Sequence, residues 1–441
     1  MSTILIGVLG LIGFLVLMIV GIPIPFAMLF AGALGIAAIK GPTTAAQLVT
    51  ADLLTYFSSY TLTVGPLFGL MGFLALYSGI GEQLYTAVNS FMCHRPGGLA
   101  MATQVACAGF GAICGSVPAC ISTMCSIAYP EMRKRGYSPA LAGPCIGAGA
   151  CLSVLIPPSS AFIIYGLATE TSIGALFVAG IIPGILLMIC NIVAILYVAK
   201  RHPEQAPTAE KMTGAQRWKA VKDGGIIEVA IVFIISMGGM MGGFFTATEA
   251  GAVGAFGMLL VTVVTKKVNF KKYIQAVLAG VRLQAMVFIL LACATVFGRL
   301  FTVARIPAAL GAFVQSLNVP GWTILAVILI IYFCLGMVTD LLSMTLVTMP
   351  IFFPIVTDFL GYSPIWFGVV ITIMIAIGGT TPPVGSGIFL VKGCTSDDPE
   401  STLSVLFAGV WPFVIAAAAA TIILIAFPPL ATWLPSLMYS I

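Results

Sequence analysis

Long apolar runs separated by brief polar breaks set the pattern of this chain. They fall at 4–20, 23–39, 51–80, 139–166, 173–199, 226–243, 248–265, 275–303, 364–391 and 406–433. A helix crosses a bilayer with about 20 apolar residues, so each run predicts one membrane crossing. Two further apolar stretches, 99–130 and 322–355, carry small or polar residues at mid-length, GSVPAC at 115–120 and VTDLLS at 338–343. Each is either one overlong helix or a re-entrant hairpin with its tip at those residues. Two of the crossings are also interrupted, by SVLIPPSS at 153–160 and IGGTTPPVG at 377–385. Consecutive prolines donate no backbone hydrogen bonds and clash with the preceding turn. Unsatisfied backbone at membrane depth survives only where it lines a cavity or is buried in protein. The pattern therefore predicts two broken helices.

Charge separates hairpin from overlong helix. His94 and Arg95 precede the first stretch and Arg133, Lys134 and Arg135 follow it. Basic loops stay on the cytoplasmic side, so both ends are inside and the stretch turns back. The second stretch exits through VTDFLGYSP, without a basic residue, and its ends fit the outer face. Lys200–Lys222, Lys266–Lys272 and Lys392 then lie inside, and Asp52, Glu170 and Glu249 outside, with Lys40 as the exception. The expected topology has ten crossings, two hairpins and both termini outside.

Composition excludes several function classes. Of 441 residues, 60% are hydrophobic and 7% charged, and mean hydropathy is +1.14; a soluble domain carries about 25% charged residues. The chain is an all-α polytopic membrane protein embedded in a lipid bilayer. The segment 4–20 lacks a basic leader and a small-residue cleavage site, and reads as a retained helix and not a signal peptide. The net charge of +5 is that of cytoplasmic loops and implies no nucleic-acid partner. Eleven cysteines form no CxxC pair, and the two histidines, His94 and His202, fall in loops. With no HExxH and no convincing Ser/Lys pair, an intramembrane enzyme is disfavoured, and so is a continuous channel.

The chain repeats itself. GYSP at 136–139 recurs at 361–364, an offset of 225 residues (361 − 136). Pro157–Pro158 and Pro382–Pro383 share it, as do Gly111 in FGAICGS and Gly336 in CLGMVTD. The offset relates roughly 55–200 to 280–430. Five crossings separate the start of one half from that of the other, so the halves are inverted. An inverted repeat with broken helices in matching positions is the layout of secondary transporters.

The four irregular segments are the candidate site. Unwound carbonyls with Ser, Thr or carboxylate oxygens suit a hard cation such as Na⁺. One Na⁺ is expected between Gly115–Ser116 and the 153–156 backbone, with Ser153 and Ile156. A second is expected among Thr339, Asp340, Gly378, Thr380 and Thr381. The half-helices starting near Ser159 and near Val384–Gly385 aim their N-termini at the same cavity, which favours a small anion. Pro118, Ser159, Ser160, Ser343, Thr345, Val384 and Gly385 are expected to border it. Arg299 is an intramembrane arginine, a residue class that is usually functional. It either pairs with the substrate anion or reaches the outer interface. Asp340 is a cation ligand or a helix cap, and Glu249 in FTATEAG a helix cap.

These segments resemble the large membrane subunit of tripartite ATP-independent periplasmic (TRAP) transporters. FGAICGSVPACISTMCSIAYPEMRKRGYSPALA, LSVLIPPSSAFIIYG, FFTATEAGAVGAFG, LGMVTDLLSMTLVTMPIFFPI and IGGTTPPVGSGIFLVKG carry the likeness, which spans nearly the whole chain. The resemblance implies a sodium-coupled importer of a small organic acid in a bacterial or archaeal cytoplasmic membrane. A small four-helix membrane subunit and a periplasmic substrate-binding protein are the implied partners, and an elevator-type movement the implied mechanism. A stand-alone carboxylate carrier of the same superfamily is the alternative. The implied division is 1–50 as N-terminal scaffold, 51–200 as first repeat and 201–274 as a basic cytoplasmic loop with connecting helices. Residues 275–433 form the second repeat. At Arg299 the family's residue looks uncharged, often aromatic, so the chain departs from the pattern there.

Overall fold

The computed structural model describes residues 2–208, 212–223, 226–266, 268–317 and 319–438. Lys211 and Lys267, within the expected inner loops, and the extreme termini lie outside the described residues. The described chain is helical, with no strand. Its first half comprises α1 (Thr3–Ile19), α2 (Ile24–Lys40), α3 (Pro42–Phe57), α4 (Val64–Tyr77), α5 (Ile80–Met92), α6 (Gly98–Cys114), α7 (Val117–Lys134), α8 (Pro139–Ala150), α9 (Ser160–Thr169) and α10 (Ile173–Arg201). A connecting helix, α11 (Gly214–Asp223), follows. The second half comprises α12 (Ile226–Phe233), α13 (Gly239–Met241), α14 (Ala247–Val264), α15 (Phe270–Val303), α16 (Ile306–Ser316), α17 (Gly321–Gly336), α18 (Leu341–Pro354), α19 (Pro364–Gly378), α20 (Ser386–Cys394), α21 (Leu403–Ala426) and α22 (Pro429–Met438).

The 225-residue offset holds from end to end. It carries α2 onto 249–265, where α14 lies, α5 onto α16, α6 and α7 onto α17 and α18, and α8, α9 and α10 onto α19, α20 and α21. Packing between the halves is reciprocal. α2 packs on α15 and α14 on α4; α7 packs on α20 and α18 on α9; α8 packs on α21 and α10 on α19. Such exchange of matched partners is what a two-fold axis produces, and the odd number of crossings between the copies inverts one against the other. The expected boundaries at 50 and 274 fall inside α3 and α15.

The GYSP motifs owe their recurrence to helix-start chemistry. Gly136 and Gly361 take left-handed φ values of +82° and +73°, conformations that cost only glycine nothing. Ser138 and Ser363 then accept hydrogen bonds from Ala140 and Trp366 N–H groups, and proline opens α8 and α19. An N-cap serine followed by an N1 proline satisfies one orphan donor and removes another. Thr246 and Glu249 form a capping box at the start of α14.

Both hairpins form, as α6–α7 and α17–α18, and both double prolines break their helices, between α8 and α9 and between α19 and α20. The run expected as one crossing over 51–80 is instead split. α3 ends at Phe57, a short turn intervenes, and a new helical stretch runs Tyr60–Tyr77. Pro66 lies in the first turn of α4, where its missing N–H is harmless, whereas mid-helix it would break the ladder. The equivalent position in the second copy is Leu291, and α15 accordingly runs unbroken for 34 residues. Among the described residues six helices are long and apolar enough to cross a membrane by themselves, α10, α15 and α21 among them. α1 and α2, at 17 residues, sit at the short end of the spanning range, and α8–α9 and α19–α20 reach that length only as pairs.

The helices that the apolar pattern did not reveal are α3, α5, α11, α16 and α22. α5 carries Glu82, Gln83 and Asn89 within 13 residues, so its period is helical but its mean polarity hides it. At the basic end of the first hairpin, Arg133 joins the copies. Its guanidinium donates to Asp398 at 2.7 Å and to Glu400 at 2.5 Å, while Tyr129 Oη donates to Asp398 at 2.8 Å.

Candidate functional site

The two hairpin tips and the two helix breaks converge on one cavity of about 340 Å³. Ser116 and Pro118 from the first tip, Ser160 from the start of α9, Thr339 and Asp340 from the second tip and Thr380 from the second break all border it. Residues 264 positions apart in sequence (380 − 116) thus meet in one site.

In the first copy α6 is closed by its C-cap, Gly115, with φ +58°. A Cβ there would collide with the carbonyl oxygen of Pro158, so the tip lies directly on the double-proline break. The Gly115 carbonyl accepts from Ser160 twice, from Oγ at 2.7 Å and from N at 3.3 Å. Ser116 is the N-cap of α7, yet its hydroxyl makes no capping bond. Ser153 Oγ donates to the Ala150 carbonyl at 2.7 Å. Ser159 caps α9, accepting from Phe162 N–H at 3.2 Å and donating to Val154 O at 2.6 Å. Ile156 turns its side chain toward Gly184 of α10.

The second copy repeats the arrangement with other residues. Asp340 caps α18 by accepting from Ser343 N–H at 3.0 Å. Thr339 Oγ1 donates to Leu335 O at 2.9 Å, and the hydroxyls of Thr380 and Thr381 both donate to Ile377 O, at 2.9 and 2.8 Å. A hydroxyl that has given its proton to a carbonyl offers only lone pairs to anything else. Ser153, Thr339, Thr380 and Thr381 are therefore pure acceptors toward a further ligand, which suits a cation. Gly378 packs so closely that a Cβ on it would stand 2.5 Å from Phe333 O.

The half-helix N-termini are less open than the sequence suggests. Ser160 N–H is taken by Gly115 O, and Gly385 N–H by Met337 O at 3.1 Å. The tip carbonyls themselves cap the half-helices, because each tip is pressed against its own break. What remains for an anion is the dipole and the rest of the first turn. Gly115, Ser153, Ile156, Ser159, Gly378, Thr381, Gly385, Ser343 and Thr345 stand behind the cavity wall and not on it, and Val384 is 38% exposed away from it. Thr345 spends its hydroxyl on Leu341 O.

Arg299 is not among these residues. It borders a separate cavity of about 500 Å³ with Asp52, Glu170 and Pro350. There its Nε donates to Asp52 Oδ2 at 3.1 Å and its Nη2 to Asp52 Oδ1. Asp52 is buried at 6% exposure. The guanidinium thus pairs with a buried carboxylate on α3, outside the central cavity, and at 42% exposure it remains open to this second cavity. Among the described residues that line the central cavity, Asp340 is the one charged side chain. Sequence reasoning missed the wall formed by α15, with Leu283, Gln284, Met286 and Val287. The available signal was the amide Gln284, placed in α15 immediately before the apolar run AMVFILLACATVFGRLF.

Comparison with known proteins agrees with this architecture. Residues 11–430 match the family model described as the DctM component of tripartite ATP-independent periplasmic transporters. The chain is 33% identical to the C4-dicarboxylate TRAP transporter large permease protein DctM of Pseudomonas aeruginosa, over 76% of this chain and 78% of that one. It is 31% identical to the ectoine TRAP transporter large permease protein TeaC of Halomonas elongata, over 96% and 97%. The crystal structure of the Alcanivorax borkumensis YdaH transporter has a similar fold, with a TM-score of 0.59 at 13% identity over 89% and 88% of the two chains.

Proposed function

The chain belongs to the DctM family, the large permease components of tripartite ATP-independent periplasmic transporters, and we propose that it is the sodium-coupled importer of a small organic acid. Its place is the bacterial cytoplasmic membrane, where the family implies association with a small membrane subunit and a substrate-binding protein. The observation that carries the proposal is the meeting of both copies' tips and breaks on one cavity, where Asp340 is the only charged side chain among the described wall residues.

The charge balance argues for coupled cations. An anionic substrate beside Asp340 brings at least two negative charges into one cavity whose described lining residues include no cationic side chain. Like charges held close together repel, so the entry of accompanying counter-ions is favoured. Two Na⁺ ions, one behind each tip, would offset them, and the hydroxyls of Ser153, Thr339, Thr380 and Thr381, which present only lone pairs, support that reading. Coupling follows, since neither charge type enters favourably without the other. The first ion would meet Gly115, Ser116, Ser153 and Ile156; the second Thr339, Asp340, Gly378, Thr380 and Thr381. The hairpins and broken helices would move together as an elevator against α1, α2, α10 and α21. Relatives are named for C4-dicarboxylate and ectoine transport, so the carboxylate is the shared chemistry carried over.

The test is uptake by proteoliposomes holding this chain, its small subunit and the cognate binding protein. Substrate accumulation driven by an inward Na⁺ gradient, absent with choline and absent without the binding protein, is expected. Equal uptake in choline would overturn sodium coupling. Full uptake by the chain alone would make it a stand-alone carrier.

A further inference from the structure

Gln284 borders the central cavity from α15, is 8% exposed, and has its Oε1 buried without a hydrogen-bond partner. Buried side-chain amides ordinarily find partners, so an unspent one on a ligand cavity calls for an explanation. Its position is built into the neighbouring helix. A Cβ on Gly65 of α4 would stand 2.5 Å from Oε1, and one on Gly69, a turn later, 3.1 Å from Nε2. The two glycines clear a seat that no larger residue would leave open. On either side, Leu283, Met286 and Val287 make the rest of that wall aliphatic.

We propose that Gln284 is a specificity-determining residue, and that the transported acid has one anionic group plus a neutral hydroxyl or carbonyl that this amide binds. The inference rests on reading the cavity as an organic-acid site. An amide offers donors and an acceptor but no charge. A hydroxyl or carbonyl oxygen takes an Nε2 proton, and a hydroxyl satisfies Oε1 once the amide turns from Gly65 toward the cavity. A second carboxylate at this wall would meet aliphatic surface, no counter-ion, and a cavity already carrying Asp340. Sites with a buried hydrogen-bonding group reject analogues lacking its partner far more strongly than apolar pockets reject extra bulk. Plain dicarboxylates and unsubstituted monoacids are therefore excluded in favour of hydroxy- or keto-monoacids.

The experiment measures thermal midpoints of the purified chain with its small subunit, in NaCl and in choline chloride, with gluconate, glycerate, succinate or butyrate added. Gluconate or glycerate should raise the midpoint in sodium only, and succinate and butyrate should not. In Gln284→Leu the hydroxy-acid shift should disappear while the shift from sodium alone persists. Gln284→Asn, which keeps the amide but shortens its reach, should need at least about tenfold more hydroxy acid for the same shift. Stabilisation by succinate equal to that by gluconate, or undiminished hydroxy-acid shifts in both variants, would overturn the assignment of Gln284. If no acid of any kind shifted the wild-type midpoint, the organic-acid reading of the cavity would itself fall, and this inference with it.

Discussion

Replacing Gly378 with alanine places a methyl carbon 2.5 Å from the Phe333 carbonyl oxygen and 3.0 Å from Cα of Gly336. Ordinary contact begins near 3.4 Å, so α17 and α19 must separate by about 0.9 Å (3.4 − 2.5) at this point. Neither contact is with a flexible side chain that could swing away. Forcing extra volume into a packed interior costs about 1–3 kcal/mol, and the separation falls between the second tip and the second break. Thr339, Asp340 and the Gly378–Thr381 backbone would then lose registration as a cation site. About 1.4 kcal/mol of that loss, expressed in binding, is a tenfold rise in the sodium concentration for half-maximal uptake. The equivalent contact in the first copy, a Cβ on Gly111 at 2.6 Å from Cα of Ser153, predicts the same for Gly111→Ala. Gly393→Ala, with nothing within 4 Å, is the control. The measurements are the thermal midpoint in detergent and the sodium dependence of uptake. The reasoning is refuted if Gly378→Ala melts and responds to sodium as Gly393→Ala does.

Ser116→Ala and Thr381→Ala should each raise the sodium concentration needed for uptake severalfold; unchanged sodium activation in both would remove the proposed ion sites. Arg299→Leu leaves Asp52 buried and unpaired and should cost about 1–3 kcal/mol, less than a fully buried pair because the guanidinium is 42% exposed. Adding Asp52→Asn should recover most of that loss in a double-mutant cycle of thermal midpoints. At Asp398, in the loop between α20 and α21, burial works against ionisation, but hydrogen bonds from Tyr129 and Arg133 prevail and hold its carboxyl below the ordinary value of 3.8. A lowered folded-state value means that its contribution is complete above the ordinary value and is lost as pH falls through the lowered one. Acid titration of the melting midpoint should therefore be flatter in Asp398→Asn than in the parent below about pH 4.

The hairpins, the broken helices and the 225-residue duplication were legible in the sequence because each has a local cause. Pro157–Pro158 and Pro382–Pro383 break a helix wherever they stand, GYSP ends one helix and caps the next, and an apolar run of spanning length has one stable solution in lipid. The site was legible in part for the same reason, since the breaks and tips marked themselves by composition. Tertiary structure decided which of their residues face the cavity. Ser116, Ser160, Asp340 and Thr380 reach it, while Ser343, Thr345 and Val384, equally polar or equally close in sequence, point elsewhere. It also paired Arg299 with Asp52 from 247 positions away, and it made Gln284 of α15 part of the cavity wall. Local patterns report where backbone geometry is forced, because propensity acts over a few residues. The direction and partner of a side chain depend on the packing of helices distant in sequence, and here that packing is set by the reciprocal exchange between two inverted copies.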